Sequence, residues 1–145
     1  MSDVHVVVLA AGKGTRLLSA TAKVLHRVAG APMIEYVLAA AAALRPRSTT
    51  VVVGHQAESV KAALAPHPDL AFVVQDRQLG TGHALLSAEP ALGGATGTVL
   101  LLSGDVPLLS VDTLRQLLER HRSSDAAATV MTAVVDNPRG YGRIV

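Results

Sequence analysis

The sequence predicts an α/β fold in which a mainly parallel β-sheet carries helices on both faces. Three observations lead to this prediction. Short aliphatic runs alternate with segments of helical periodicity, and such alternation is typical of parallel strands joined by crossover helices. The runs are almost purely apolar, as expected of strands that are buried on both sides. Half of the 145 residues are hydrophobic and 17% are charged, so one domain of this length can bury a substantial core.

Five aliphatic segments have the length and composition of strands. In chain order they are residues 4–10, 49–54, 71–75, 98–102 and 130–135. The fifth segment runs into the turn-rich stretch DNPRGYGRIV, with which the sequence ends. We therefore expect a sheet that is incomplete at its C-terminal side.

Four segments have the apolar spacing of helices: residues 33–44, 57–65, 82–92 and 110–121. Pro32 suits the first position of the first helix, because a proline lacks the N–H that would be unpaired there. Pro90 is expected to end the third helix, since proline removes a helical hydrogen bond. Ser110 is a suitable N-cap for the fourth.

Composition excludes several classes of function. The net charge is +2 at pH 7 with a pI near 9.4, and the cations are scattered rather than clustered. With one phenylalanine and two tyrosines, a base-stacking surface for nucleic acid is not expected. No apolar run approaches the roughly 20 residues of a membrane span. The opening MSDVHVVV lacks the features of a signal peptide, and the absence of cysteine fits a cytoplasmic protein.

The first strand leads into a glycine-rich, cationic loop, VVVLAAGKGTRLL. Gly12 and Gly14 allow phosphate oxygens to approach backbone N–H groups without a Cβ in the way. Thr15 adds a hydroxyl donor, Arg16 a planar fork for phosphate, and Lys23 can reach the same anion. The loop is therefore a candidate anion site, although an isolated G-x-G pair is also compatible with a purely structural turn.

Two common glycine loops do not match. A dinucleotide fingerprint requires a third glycine or alanine where this chain has Leu17. A Walker loop requires four residues between its glycines followed by Lys-Ser or Lys-Thr, which this segment lacks. The loop is therefore rich in glycine and suited to bind an anion, but it belongs to neither of these two groups.

Three further segments follow predicted strands. Asp105 lies at the carboxyl end of an aliphatic strand, where a carboxylate can hold Mg²⁺ together with substrate phosphates. Gln75 ends another strand, and its amide can pair with the edge of a base. Gly80 and Thr81 precede a helix and leave backbone amides free. An exposed turn aspartate and a solvent-facing glutamine are the alternatives that these residue types leave open.

Four blocks together carry a family resemblance. LAAGKGTRLLSATAKVLHRVAGAPM (9–33) resembles the signature of sugar-1-phosphate nucleotidylyltransferases, and QDRQLGTGHAL, SGDVPLL and GYGRIV agree in order and spacing. Within that superfamily the chain is similar to the uridylyltransferase half of the bifunctional bacterial enzymes that make UDP-N-acetylglucosamine. The resemblance covers residues 1–145 and corresponds to the N-terminal part of that domain. It implies a Rossmann-like fold. Ala22 stands where the family usually has proline, which predicts a looser Lys23 loop.

The resemblance implies uridylyl transfer from UTP to N-acetylglucosamine 1-phosphate, with pyrophosphate as the second product and cell-wall precursor synthesis as the purpose. It implies catalytic roles for Arg16, Lys23 and Asp105, with Mg²⁺ on Asp105. The remaining residues that it assigns to substrate are Leu9, Ala10, Ala11, Gly12, Gly14, Thr15, Gln75, Gly80, Thr81, Ser103, Gly104 and Gly140. Of these, Gly140 corresponds to a contact with the amino sugar. Neither His26 nor His83 is assigned a catalytic role.

Parts of the family's machinery correspond to nothing in these 145 residues. They are a later asparagine metal ligand, further sugar contacts, and the left-handed β-helix acetyltransferase domain that organises a trimer. A trimer is therefore not expected of this chain alone. Two alternatives stay open: a nucleotide-binding piece without turnover, and a related transferase that uses another sugar phosphate or base.

Overall fold

The computed structural model describes residues 3–14, 17–140 and 142. The chain forms two compact units, residues 1–111 and 112–145. The described strands are β1 (Val4–Ala10), β2 (Arg27–Val28), β3 (Ala31–Pro32), β4 (Ser48–Val53), β5 (Leu70–Val74) and β6 (Thr98–Ser103). The described helices are α1 (Met33–Ala42), α2 (Ala57–Ala63), α3 (Thr81–Ser87), α4 (Glu89–Leu92) and α5 (Val111–Ser123). Each of these five α-helices overlaps a predicted helix, and α3 and α4 together correspond to the predicted helix over 82–92.

Four strands form a parallel sheet in the order β5-β4-β1-β6. The chain builds outward from β1 through β4 to β5 and then crosses back to place β6 on the other side of β1. The switch in direction therefore lies between β1 and β6, where Leu9 is paired with Ser103. In open parallel sheets, ligands bind beyond the carboxyl ends of the strands at such a switch point. The predicted α/β sheet is confirmed.

Both faces of the sheet are covered at its central strands β1 and β4, whereas Val74, Val99 and Leu101 of the edge strands are exposed. On one face Val7 and Val52 form a buried cluster with Ala84 of α3 and Ala88. Side chains alternate along a strand, so Val6 points to the opposite face, and it is also fully buried. Helix α1 contacts β1 as well and contributes buried apolar side chains of its own.

The predicted strand over 130–135 is wrong. In the structure this segment has no regular secondary structure, and Val130 and Val134 are largely or fully exposed. A strand needs hydrogen bonds from a neighbouring strand, and within the described residues this apolar run pairs with none. An aliphatic composition alone is therefore not enough to form a strand here.

Pro90 does not end a helix as predicted. Helix α3 stops at Ser87, and Pro90 lies in the first turn of the separate helix α4. The first turn tolerates proline because its N–H groups have no partner inside the helix. The antiparallel pair β2–β3 was not predicted at all; it is joined by Ala29 and Gly30, both at positive φ. Among the described helices, none is long and apolar enough to span a membrane.

Candidate active site

A cleft of about 290 Å³ opens at the carboxyl ends of the parallel strands. Nine of the residues predicted to contact substrate line it: Leu9, Ala11, Gly12, Lys23, Gln75, Gly80, Thr81, Ser103 and Asp105. Val24, Gln78 and Ala84 line it as well and were not predicted. The structure thus brings segments from four separate parts of the sequence to one place, as expected for the switch point of such a sheet.

The two loops that flank the switch point are in direct contact. The Gly104 backbone N–H donates to the carbonyl of Leu9 at 2.9 Å, which joins the end of β6 to the end of β1. A Cβ on Gly104 would lie 2.9 Å from that carbonyl oxygen and 3.2 Å from Val24 Cγ1. Glycine is therefore required here for close approach, which keeps Asp105 next to the β1 loop.

The cationic and acidic residues predicted to act on phosphate form an ion pair. Lys23 Nζ contacts Asp105 Oδ2, and the two side chains are 42% and 28% exposed. Gly14, at φ +60, lies against Lys23, and a Cβ at Gly14 would be 2.9 Å from the Lys23 Cβ. The β1 loop, the Lys23 turn and the end of β6 consequently meet around one pair of opposite charges.

Lys23 begins a short 3₁₀ turn over Lys23–Leu25 that Ala22 precedes. Ala22 is buried, with φ −54, which lies inside the range that a proline ring imposes. The backbone at this position therefore has the conformation that proline would favour, although alanine does not enforce it in the unfolded chain.

Two glutamines organise the other side of the cleft. Gln75 follows β5, is 4% exposed, and its Nε2 donates to the carbonyl of Gly80 at 3.2 Å. Gln78 Nε2 donates to the carbonyl of Ala11 at 2.7 Å and so ties this loop to the end of β1. Nothing in the sequence distinguishes Gln78 from an ordinary polar loop residue, which is why it was missed.

Four of the remaining predicted residues do not line the cleft or are not described. Ala10 is a buried residue of β1 and does not line the cleft. Thr15 and Arg16 lie outside the described residues. Gly140, at φ +86, belongs to the 112–145 unit. The roles of all these residues stay predictions.

Two histidines, His83 and His26, lie near the cleft without lining it. His83 Nδ1 lies 3.0 Å from Gln75 Nε2, so this side chain supports a residue that lines the cleft. His26 Nε2 is buried and has no hydrogen-bond partner among the described residues. Neither ring lines the cleft.

A switch-point cleft lined by a glycine loop, a lysine and a strand-end aspartate is the arrangement that the sequence analysis expects of a nucleotidyltransferase. Comparison with known families agrees, since residues 6–141 match the model of the MobA-like NTP transferase domain. The chain belongs to this family, and the predicted resemblance is confirmed.

Curated relatives and solved structures support the same assignment. "Bifunctional protein GlmU" of Pelobacter propionicus is 52% identical over all 145 residues, and that of Synechococcus is 52% identical over 139. The chain spans about a third of their length, 32% and 31% respectively. A nucleotidyl transferase from Methanothermobacter thermautotroptrophicus aligns with a TM-score of 0.65 at 28% identity, over 80% of this chain and 56% of its own.

The crystal structure of Rv0371c from Mycobacterium tuberculosis aligns with a TM-score of 0.72 at 25% identity, covering 84% of this chain and 62% of its own. A second structure of that protein, a complex with manganese, aligns with a TM-score of 0.66 at 25% identity, over 83% and 60%. These alignments confirm the fold.

Proposed function

We propose that the chain carries the site for uridylyl transfer from UTP to N-acetylglucosamine 1-phosphate. The observation that carries this proposal is the meeting of Lys23 and Asp105 at the switch-point cleft. The buried Gln75 amide on the other side of the same cleft supports a base site. The choice of uracil and of this sugar phosphate rests on the resemblance to the uridylyltransferase family and on relatives named GlmU.

The Lys23–Asp105 ion pair can be exchanged for contacts with a phosphate ligand. Both side chains are partly exposed, and such pairs stabilise a fold by about 1 kcal/mol or less. Lys23 can therefore leave Asp105 at little cost in stability and donate to a phosphate oxygen instead. Lysine suits this exchange because its ammonium is a point charge with three donors on a flexible stem.

The acceptor sugar phosphate needs no general base. A phosphate monoester has its second pKa at about 6, so the attacking oxygen is already ionised at neutral pH. It forms the new bond to the α-phosphorus of UTP as the bond to the pyrophosphate oxygen breaks. The chain's task is to hold two polyanions together, for which Lys23 and the predicted Arg16 supply positive charge.

The residues present fit a divalent cation that arrives with the nucleotide. Within the described ranges, no group of three or more His, Cys, Asp or Glu side chains could hold a metal. Mg²⁺ is commonly bound through one or two carboxylates plus substrate phosphates, and Asp105 is such a carboxylate. When bound, the ion would offset charge on the phosphate oxygens. A structural neighbour that was solved as a complex with manganese supports a divalent cation in general.

A pyrophosphate-release assay tests the proposal. The chain is incubated with each of the four NTPs, N-acetylglucosamine 1-phosphate and Mg²⁺, with Asp105→Asn as the inactive control. We expect release with UTP only. Release with another NTP, or with another sugar phosphate in preference, contradicts the substrate assignment. Binding of UTP without release supports a nucleotide-binding piece and contradicts transfer by this chain alone.

Cytoplasmic location and cell-wall precursor synthesis are parts of the same proposal and also rest on the resemblance. We propose a trimer only for the longer members of the family.

A further inference from the structure

The orientation of the Gln75 side-chain amide is determined by its neighbours. Nε2 lies 3.2 Å from the carbonyl oxygen of Gly80 and 3.0 Å from Nδ1 of His83. A backbone carbonyl can only accept, so the NH₂ end of the amide has to face Gly80. With the amide reversed, two oxygens would face each other in a residue that is 4% exposed, an arrangement that leaves buried acceptors unpaired.

The same NH₂ group fixes the state of the His83 ring. Because Nε2 of Gln75 is the donor, Nδ1 of His83 has to accept, and the ring proton of neutral His83 is on its own Nε2. Both N–H bonds of the Gln75 amide are thereby used. Its Oε1 accepts no hydrogen bond from residues 3–14, 17–140 or 142, and so remains available to a ligand in the cleft that Gln75 lines.

We propose that His83 is a positioning residue that selects uracil over cytosine by holding the Gln75 amide with Oε1 toward the base. This inference rests on the proposed function. Uracil carries a hydrogen at N3, whereas cytosine has a lone pair there. A fixed acceptor opposite N3 therefore attracts uracil and repels cytosine. An amide whose orientation is fixed discriminates between the two bases more strongly than one that can flip. Gly80 holds one N–H of the amide and His83 holds the other.

The test compares UTP and CTP binding by calorimetry in the presence of Mg²⁺. His83→Leu removes the acceptor, whereas His83→Asn retains an acceptor oxygen close to the position of Nδ1. His67→Leu is the control, because His67 pairs with Glu35 at 2.8 Å and does not line the cleft. We expect His83→Leu to lower the ratio of UTP to CTP affinity about 3- to 10-fold, the effect of one neutral hydrogen bond. His83→Asn and His67→Leu should keep the wild-type ratio.

The outcomes separate this inference from the proposed function. A wild-type chain that binds UTP, with a ratio unchanged in His83→Leu, overturns only the inference. Equal loss of selectivity in His83→Leu and His83→Asn also overturns it. A wild-type chain that binds neither nucleotide overturns the proposed function and this inference together. If His83→Leu fails to fold, the NMR chemical shifts of the His83 ring nitrogens in the wild-type chain test the inference instead. Shifts that place the proton on Nδ1 would contradict the proposed arrangement.

Discussion

Replacement of Lys23 by methionine separates two contributions: that of the Lys23–Asp105 ion pair to stability, and the proposed one of Lys23 to UTP binding. Methionine keeps most of the length of the side chain and removes its charge. In the folded chain without ligand, the substitution removes an ion pair between side chains that are 42% and 28% exposed. A pair this exposed contributes about 1 kcal/mol or less to stability. The midpoint temperature of thermal unfolding should therefore change by no more than about 4 °C.

The effect on UTP should be much larger. Lys23 is proposed to donate a charge-assisted hydrogen bond to the triphosphate, an interaction that contributes about 1.5–3 kcal/mol. Since about 1.4 kcal/mol is a factor of ten in affinity, UTP should bind about 10- to 150-fold more weakly to Lys23→Met. Uridine has no phosphate, and its affinity should stay within about twofold of the wild-type value because its proposed contacts do not involve Lys23.

Calorimetric titrations with UTP and with uridine measure both quantities, and circular dichroism measures the unfolding temperature. Lys61→Met is the matched control, because Lys61 also forms an ion pair, with Glu58 at 3.0 Å, and does not line the cleft. It should leave both affinities unchanged. Equal weakening of UTP and uridine by Lys23→Met would refute the phosphate role, as would unchanged UTP binding.

Three further substitutions test other parts of the account. Ala22→Pro should stabilise the fold by about 0.4–1 kcal/mol, since the native φ of −54 suits proline; a lower melting temperature would contradict this. Gly104→Ala should destabilise it by about 1–3 kcal/mol through the contact with Leu9, and an unchanged melting temperature would show that the loops can separate freely. Arg16→Ala should reduce the rate of pyrophosphate release far more than the affinity for uridine. Comparable losses in the two measurements would argue against a transition-state role.

Much of the fold could be predicted because short segments of the sequence determine many of its strands and helices. Strand β1 was predicted with its observed bounds, since a strand buried on both faces is a largely aliphatic run, which in β1 only His5 interrupts. The 130–135 segment has a similar composition yet forms no strand. Pairing depends on a neighbour that the local sequence does not specify.

The candidate site was predictable in part for a different reason. The parallel topology implies that strand ends meet at one edge, so the loops after β1, β5 and β6 could be expected to converge. The contacts between side chains from different loops could not be predicted, because they depend on three-dimensional packing. Gln78 on the carbonyl of Ala11 and His83 on Gln75 are of this kind.

Calorimetric titration of UTP with Mg²⁺ into the wild-type chain and into Asp105→Asn tests the central claim most directly. Asp69→Asn is the control: Asp69 is exposed and immediately precedes β5, at the end of the sheet opposite the cleft. We predict saturable binding to the wild-type chain and to Asp69→Asn, and greatly weakened binding to a folded Asp105→Asn. Equal affinity of all three chains for UTP would contradict the account.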